Sequence, residues 1–221
     1  MLLAVDTSTA QLGLALYDGA VVIAELTWTS RARHTVELAP ALSGLLARTG
    51  ISIKDLAALG VAIGPGSFTS LRVGLAFVKG LALARHLPVI GIPTLDTVAA
   101  SMPVQDIPLA AVLQAGRGRI ALGWYKASEN GWLAEGSIQT TNADALAESI
   151  HQPTLIVGEL TAPERQRLER KRKNIQLASP AQSVRRPALL AELAWARWKS
   201  GRLDDTASLA PIYLHTEGGP S

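Results

Sequence analysis

The sequence predicts an α/β protein of two lobes, each a mixed sheet flanked by helices. Three observations predict it. Residues 2–85 read strand, strand, strand, helix, strand, helix. From residue 109 the same order returns, which points to duplication of one unit. Between the copies lies SMPVQDIP, residues 101–108, whose two prolines mark a boundary. The expected lobes are therefore 1–102 and 103–221.

Each element has a local reason. Residues 2–5 are an apolar run ending at Asp6, and 11–17 are a second strand. Asp18-Gly19 is a hairpin turn signal, and 20–28 alternate as the returning strand. A helix from about 35 to 48 puts Leu38, Leu42, Leu45 and Leu46 on one stripe and meets a stop signal at Gly50. Pro40 near its first turns predicts a kink or a later start. Residues 59–63 read as a buried strand, followed by a Gly-Pro-Gly turn and a helix from about 67 to 85. A strand at 89–92 and a short helix at 94–100 close the first copy. In the second copy 109–113, 119–125 and 132–139 are strands, and Asn142 opens a helix. A strand at 154–157, a charged helix at 162–172, a strand at 175–177 and a helix at 187–199 follow. Three antiparallel strands and then alternating helices and strands is the ribonuclease H-like order. Two copies are the arrangement of actin, the sugar kinases and the heat-shock-chaperone ATPases, where ATP lies between the halves. That step is an analogy of fold.

Composition excludes several classes. The 221 residues are 48% hydrophobic and 18% charged, with a net charge of +3, which gives little support for a dedicated nucleic-acid binder. There is no cysteine, so disulfides, thiolate metal sites and a cysteine nucleophile are excluded. Asp6 arrives too early for a signal-peptide core, and no apolar run reaches the ~20 residues of a membrane span. A cytoplasmic protein is expected. Four scattered histidines offer neither a His-Glu-x-x-His motif nor a helical pair, so no metal site is expected, and His34 reads as an exposed or capping residue. No Gly-x-Ser-x-Gly elbow is present.

Three motifs remain. Asp6, Thr7, Ser8 and Thr9 end the first strand in a hydroxyl-rich turn. They either contact a nucleotide phosphate and its metal-bound water, or satisfy a hairpin turn through local bonds. Gly64, Pro65, Gly66 and Ser67 form a tight turn with Ser67 placed as an N-cap. The spacing fits neither the P-loop nor the dinucleotide fingerprint. Its free amides either bind an anion or set the entry angle of the helix. That helix is apolar on more than one side. Phe68, Leu71, Leu75, Val78 and Ala82 make one stripe, and Val73, Phe77, Leu81 and Ala84 another, with Gly74, Ala76 and Gly80 between them. Such a helix is buried on most sides. The expected partner interface is the first of these stripes together with Leu38, Leu42 and Leu45 of the helix before it. ERQRLERKRK, residues 164–173, is either a solvated helix or a contact for an RNA backbone.

The stretches LLAVDTSTAQLGLALYDG, HTVELAPAL, GVAIGPGSFTSLRVGLAFVKGLA and VIGIPTLD, with the closing APIYLH, resemble the TsaB (YeaZ) family. The match is dense over residues 1–98 and thin afterwards. The resemblance implies a non-catalytic subunit in the making of threonylcarbamoyladenosine in tRNA. It implies pairing with the paralogue TsaD through helices of the N-terminal half, with the small ATPase TsaE joining and tRNA involved indirectly. When alone, the chain is either a monomer or a homodimer through the same helices. No cofactor of its own is implied, with ATP or ADP only at a shared interface. The departures from TsaD-type proteins fit this role. Leu38 stands where a second metal-binding His would be, residues 113–117 carry no carboxylate, and the paired glycines of an adenosine site reduce to Gly158-Glu159. Ser70 stands where the family usually has Gly. The competing readings are an autonomous ATPase or small-molecule kinase of the same superfamily and, as an outsider, a protease.

Overall fold

The computed structural model describes residues 1–30, 33–170 and 173–214. The order is β1 (Leu2–Asp6), β2 (Gln11–Tyr17), β3 (Val22–Thr29), α1 (His34–Thr49), β4 (Ala58–Ala62), α2 (Phe68–Arg85), β5 (Val89–Ile92) and α3 (Thr94–Ala99). It continues with β6 (Leu109–Gln114), β7 (Ile120–Ser128), β8 (Gly131–Thr141), α4 (Ala143–Ser149), β9 (Thr154–Gly158), α5 (Ala162–Glu169), β10 (Ile175–Leu177) and α6 (Pro187–Lys199). The two sheets have the orders β3-β2-β1-β4-β5 and β10-β9-β6-β7-β8. Read from the opposite edge, the second repeats the first. In each, the three leading strands are antiparallel and the later ones join in parallel. The duplicated mixed-sheet reading therefore holds.

The division into units differs from a single cut at residue 102. Residues 186–212 belong with 1–97, while 98–185 and the residues from Tyr213 form the second unit. The reason is packing in the first sheet. Side chains alternate across a strand, and the face of this sheet toward α6 carries mostly alanine and glycine on β1, β2 and β4, with Leu2, Ile90 and Ile92 among the larger residues there. Leu3, Val5, Leu12, Leu14, Leu16, Leu59 and Val61 face the cluster that includes Leu38, Leu42 and Leu45 of α1 and Leu75, Val78 and Ala82 of α2. Ala4, Ala15, Ala58 and Ala62 face the other way, against Leu190, Ala191 and Ala194 of α6. Gly13 and Gly60 extend that small face. A Cβ at Gly13 would lie 2.9 Å from the Pro187 ring, and one at Gly60 2.7 Å from the Ala194 Cβ. The sequence position of α6 gives no hint of this; the small face does, because only a closely packed helix fills it.

Polar contacts fix α6 at both ends. The Glu25 carboxylate of β3 accepts the Ala188 N–H at 3.0 Å and two N–H groups of Arg186 at 3.0 and 2.5 Å. It thereby caps orphan amides of the first turn. At the far end Arg197 donates to Gly91 O at 2.6 Å, and Gly91 N–H donates to Asp204 Oδ2 at 2.8 Å. The segment after α6 then runs past β5: Asp204 bridges Val89, and Ile212 N–H donates to Ile63 O at 2.7 Å. Main-chain groups beside β4 and β5 gain partners in this way.

Two local expectations change. The first helix begins at His34 and runs through Pro40, which lies on its exposed side. His34 is buried, and its Nε2–H donates to Thr9 O at 2.9 Å, so it anchors α1 to the first turn. In the second unit α4 and α5 cover a cluster including Val112, Ile120, Leu122 and Ile156. The helix expected to reach 172 ends at Glu169, and Lys171, Arg172 and His215 lie outside the described residues.

Gly60→Ala should push against Ala194, which has no flexible end to give, and destabilise the protein by about 1–3 kcal/mol. Urea unfolding checks this. An unchanged midpoint would mean that α6 does not press on the small face of the sheet.

Candidate functional site

The end of β1 carries the hydroxyl-rich turn, and the structure gives its groups protein partners. Asp6, Thr7, Ser8 and Thr9 are all buried. Asp6 Oδ1 accepts the Ser8 N–H at 2.8 Å, and Thr9 Oγ1 accepts the Gln11 N–H at 3.2 Å. Thr7 Oγ1 donates to Ser70 O at 2.7 Å. Ser8 Oγ shares a hydrogen bond with Thr94 Oγ1 at 2.8 Å.

The Gly-Pro-Gly turn sits directly on this loop. Ser67 N–H donates to Ser8 O at 2.7 Å, so the last amide of the turn faces a carbonyl and not an anion. A Cβ at Gly66 would lie 2.2 Å from Ser8 O, and one at Gly74 2.1 Å from Thr7 Oγ1. Both glycines are therefore dictated by contact with residues 6–9. Gly64 has φ +108, donates its N–H to Thr94 Oγ1 at 3.0 Å and accepts the Thr94 N–H at 2.7 Å. Ser67 occupies the N-cap position, but its hydroxyl accepts from Ser70 Oγ at 3.0 Å instead of capping an amide. Ser70 thus fits without displacing the helix.

Of the two readings of Asp6, Thr7, Ser8 and Thr9, these bonds match the one in which the side chains satisfy the turn. The α2 entry turn packs directly on residues 6–9. In the second unit the equivalent positions are also engaged. Gln114 Nε2 donates to Glu164 Oε2 at 2.6 Å, and Glu159 pairs with the buried Arg185. A Cβ at Gly158 would lie 2.0 Å from Val112 O.

The interface stripe is corrected as well. Leu38, Leu42, Leu45, Leu71, Leu75, Val78 and Ala82 are buried within this chain. They face the sheet because its large-residue side needs a cover. Phe68 alone of the expected set is outside, 55% exposed. The outer faces of the same helices carry a different set. On α1 these are Val36, Ala39, Pro40, Ser43, Gly44 and Ala47; on α2 they are Thr69, Arg72, Ala76, Gly80 and Leu83. Nothing lies within 4 Å of a Cβ built on Gly44 or Gly80. A mid-helix glycine costs about 1 kcal/mol against alanine, and no neighbour in this chain requires either one. Between the start of α1 and α2 lies an open groove of about 440 Å³, lined by Thr35, Phe68, Thr69, Arg72, Val73 and Ala76. The Arg72 guanidinium stands 4.5 Å over the Phe68 ring at its rim. Glu37 fastens α1 to β3: its Oε2 accepts the Trp28 indole N–H at 2.9 Å, which holds the carboxyl below its ordinary value.

Two mixed sheets of this order define a duplicated ribonuclease H-like fold. Two solved structures agree on the fold. YeaZ from Pseudomonas aeruginosa is 23% identical and superposes with TM-score 0.79 over 96% of this chain and 99% of its own. The ROK hexokinase from Thermus thermophilus superposes with TM-score 0.51 at 10% identity, over 90% of this chain and 99% of its own. A family model described as TsaD, tRNA N6-adenosine threonylcarbamoyltransferase, matches residues 22–193. The tRNA threonylcarbamoyladenosine biosynthesis protein TsaB of Bacillus subtilis is 31% identical over 96% of this chain and 93% of its own length. The chain belongs to the TsaB (YeaZ) family.

Two outcomes test the site. Thr94→Val leaves the Gly64 N–H buried without its acceptor and should cost about 1–3 kcal/mol in denaturant unfolding; a loss below about 0.5 kcal/mol would remove Thr94 from the network. The Glu37 contribution is present above the unfolded carboxyl value of about 4.3 and is lost as pH falls through the lower folded value. The Trp28 indole N–H resonance should therefore titrate with a midpoint below about 4.3, and Glu37→Gln should abolish that step.

Proposed function

We propose that this chain acts without chemistry of its own, as a scaffold subunit that pairs with a TsaD-type protein in the threonylcarbamoylation of tRNA. The observation that carries the proposal is the outer face of α1 and α2. It presents small residues, including Gly44 and Gly80 with open space above them, next to the exposed Phe68 and Leu83. Small residues let another helix approach closely, and exposed large apolar groups at the margin add area to bury. The family resemblance supports the identity of the partner, with TsaE and tRNA joining the assembly. A second copy of this chain competes for the same face when the partner is absent.

The kinase reading needs the turn after β1 to face a nucleotide. Its hydroxyls instead bond Ser70, Thr94 and the backbone of Gln11. Any ATP or ADP would then be held where the partner contributes the contacts. The place of action is the cytoplasm, where tRNA is modified.

The face can be tested without disturbing the core. Ala76→Glu and Gly80→Glu point into solvent and should leave the melting temperature within a few degrees of the parent. Each should weaken co-purification with the TsaD partner at least tenfold and lower threonylcarbamoyladenosine in tRNA when the variant complements a strain depleted of its own TsaB. Normal capture by both variants would overturn the assignment. Leu75→Glu is no such test, because Leu75 is buried and the charge would unfold the lobe.

A further inference from the structure

The basic run at residues 164–173 takes no part in the site above. By sequence it holds six basic and two acidic residues. The structure takes one of the two acidic residues out of that surface. Glu164 is buried, and its carboxylate accepts the Thr161 N–H and a Gln114 N–H, both at 2.6 Å, so it balances no charge outside. Arg165 donates to Ala178 O at 2.6 Å, a neutral acceptor that leaves its charge in place. Arg167 shares Asp144 at 3.1 Å, with both side chains more than half exposed, and such a pair offsets little in water. Arg170 and Lys173 are exposed. Among the described residues, four cations thus stand against Glu169 and the shared Asp144. One or two cations satisfy a helix C-terminus; a run of this density at the end of an eight-residue helix exceeds that need.

We propose that the outer face of α5, with Arg170 and Lys173, contacts the phosphate backbone of an RNA. Guanidinium groups match phosphate oxygens in a planar fork, and backbone contact needs charge and reach, not base-reading side chains. An anionic membrane surface would ask for apolar groups to insert. Here Leu168 points inward and the outer face carries Gln166, Arg167, Glu169 and Arg170. The choice of RNA over other polyanions rests on the tRNA-modifying role proposed above.

The test is fluorescence anisotropy of labelled tRNA titrated with the full-length chain across a range of monovalent salt. The Arg170→Glu/Lys173→Glu variant should bind at least about tenfold more weakly at 0.1 M salt, with a salt slope shallower by about 1.5. Arg170→Lys should retain binding, since the charge is kept. Capture of the TsaD partner should be equal for parent and double variant. This separates the two readings: loss of partner capture by the parent itself would strike the scaffold role and leave the RNA titration legible. Equal affinity and slope for parent and double variant would overturn the proposal. So would binding to phosphatidylserine vesicles that exceeds binding to tRNA and falls in the same variant.

Discussion

The hydrogen-bonded node of Ser8, Gly64 and Thr94 is the constraint on which the first unit depends. It joins the end of β1, the turn after β4 and the start of α3, all where water is excluded. A buried N–H or hydroxyl without a partner costs more than a satisfied one contributes, so these three segments hold one another in a single arrangement. Gly64, Gly66 and Gly74 follow from it, because any side chain there would meet Ile212 O, Ser8 O or Thr7 Oγ1. With the entry turn fixed, the direction and rotation of α2 are fixed. Leu71, Leu75 and Val78 then face inward, and Ala76 and Gly80 face out.

The same logic of commitment separates the two faces of the first sheet. Large aliphatic residues lie toward α1 and α2, and mostly alanine and glycine, with Leu2, Ile90 and Ile92, lie toward α6. A face built from small residues buries well only if its cover comes close, which is why a helix from the far end of the chain carries Ala191 and Ala194 at the contact. The Glu25 carboxylate then does two tasks with one group. It pairs with Arg186 and caps the helix it holds, and that contact lifts the guanidinium further above its ordinary value.

Most elements were legible because their signals are local. Alternation marked β2, the Asp18-Gly19 pair marked its turn, and 3.6-residue spacing marked α1 and α2. What the pattern could not show was orientation. An apolar stripe records that something covers it and does not say whether that is this chain's sheet or another protein, so Leu71, Leu75 and Val78 were read outward. Gly44 and Gly80 were the better signal, since a glycine in mid-helix needs a reason that lies in space and not in propensity. His34 and Thr94 were opaque for another cause. Each acts through a partner 25 or 86 positions away in sequence, and no local rule reaches that far. The unit to which α6 belongs was hidden likewise, because its cover is chosen by the size of side chains on three separate strands.

That placement of α6 has a consequence for how the protein is made. The segment 98–185 is continuous, so a ribosome delivers most of the second unit before the first is complete. The strands synthesised earliest must wait, with their alanine face uncovered, until residues 187–199 emerge. The first sheet is thus opened by the beginning of the message and closed only near its end. Any premature stop before α6 releases a chain whose first sheet stays open on one face, an aggregation hazard set by the order of the fold.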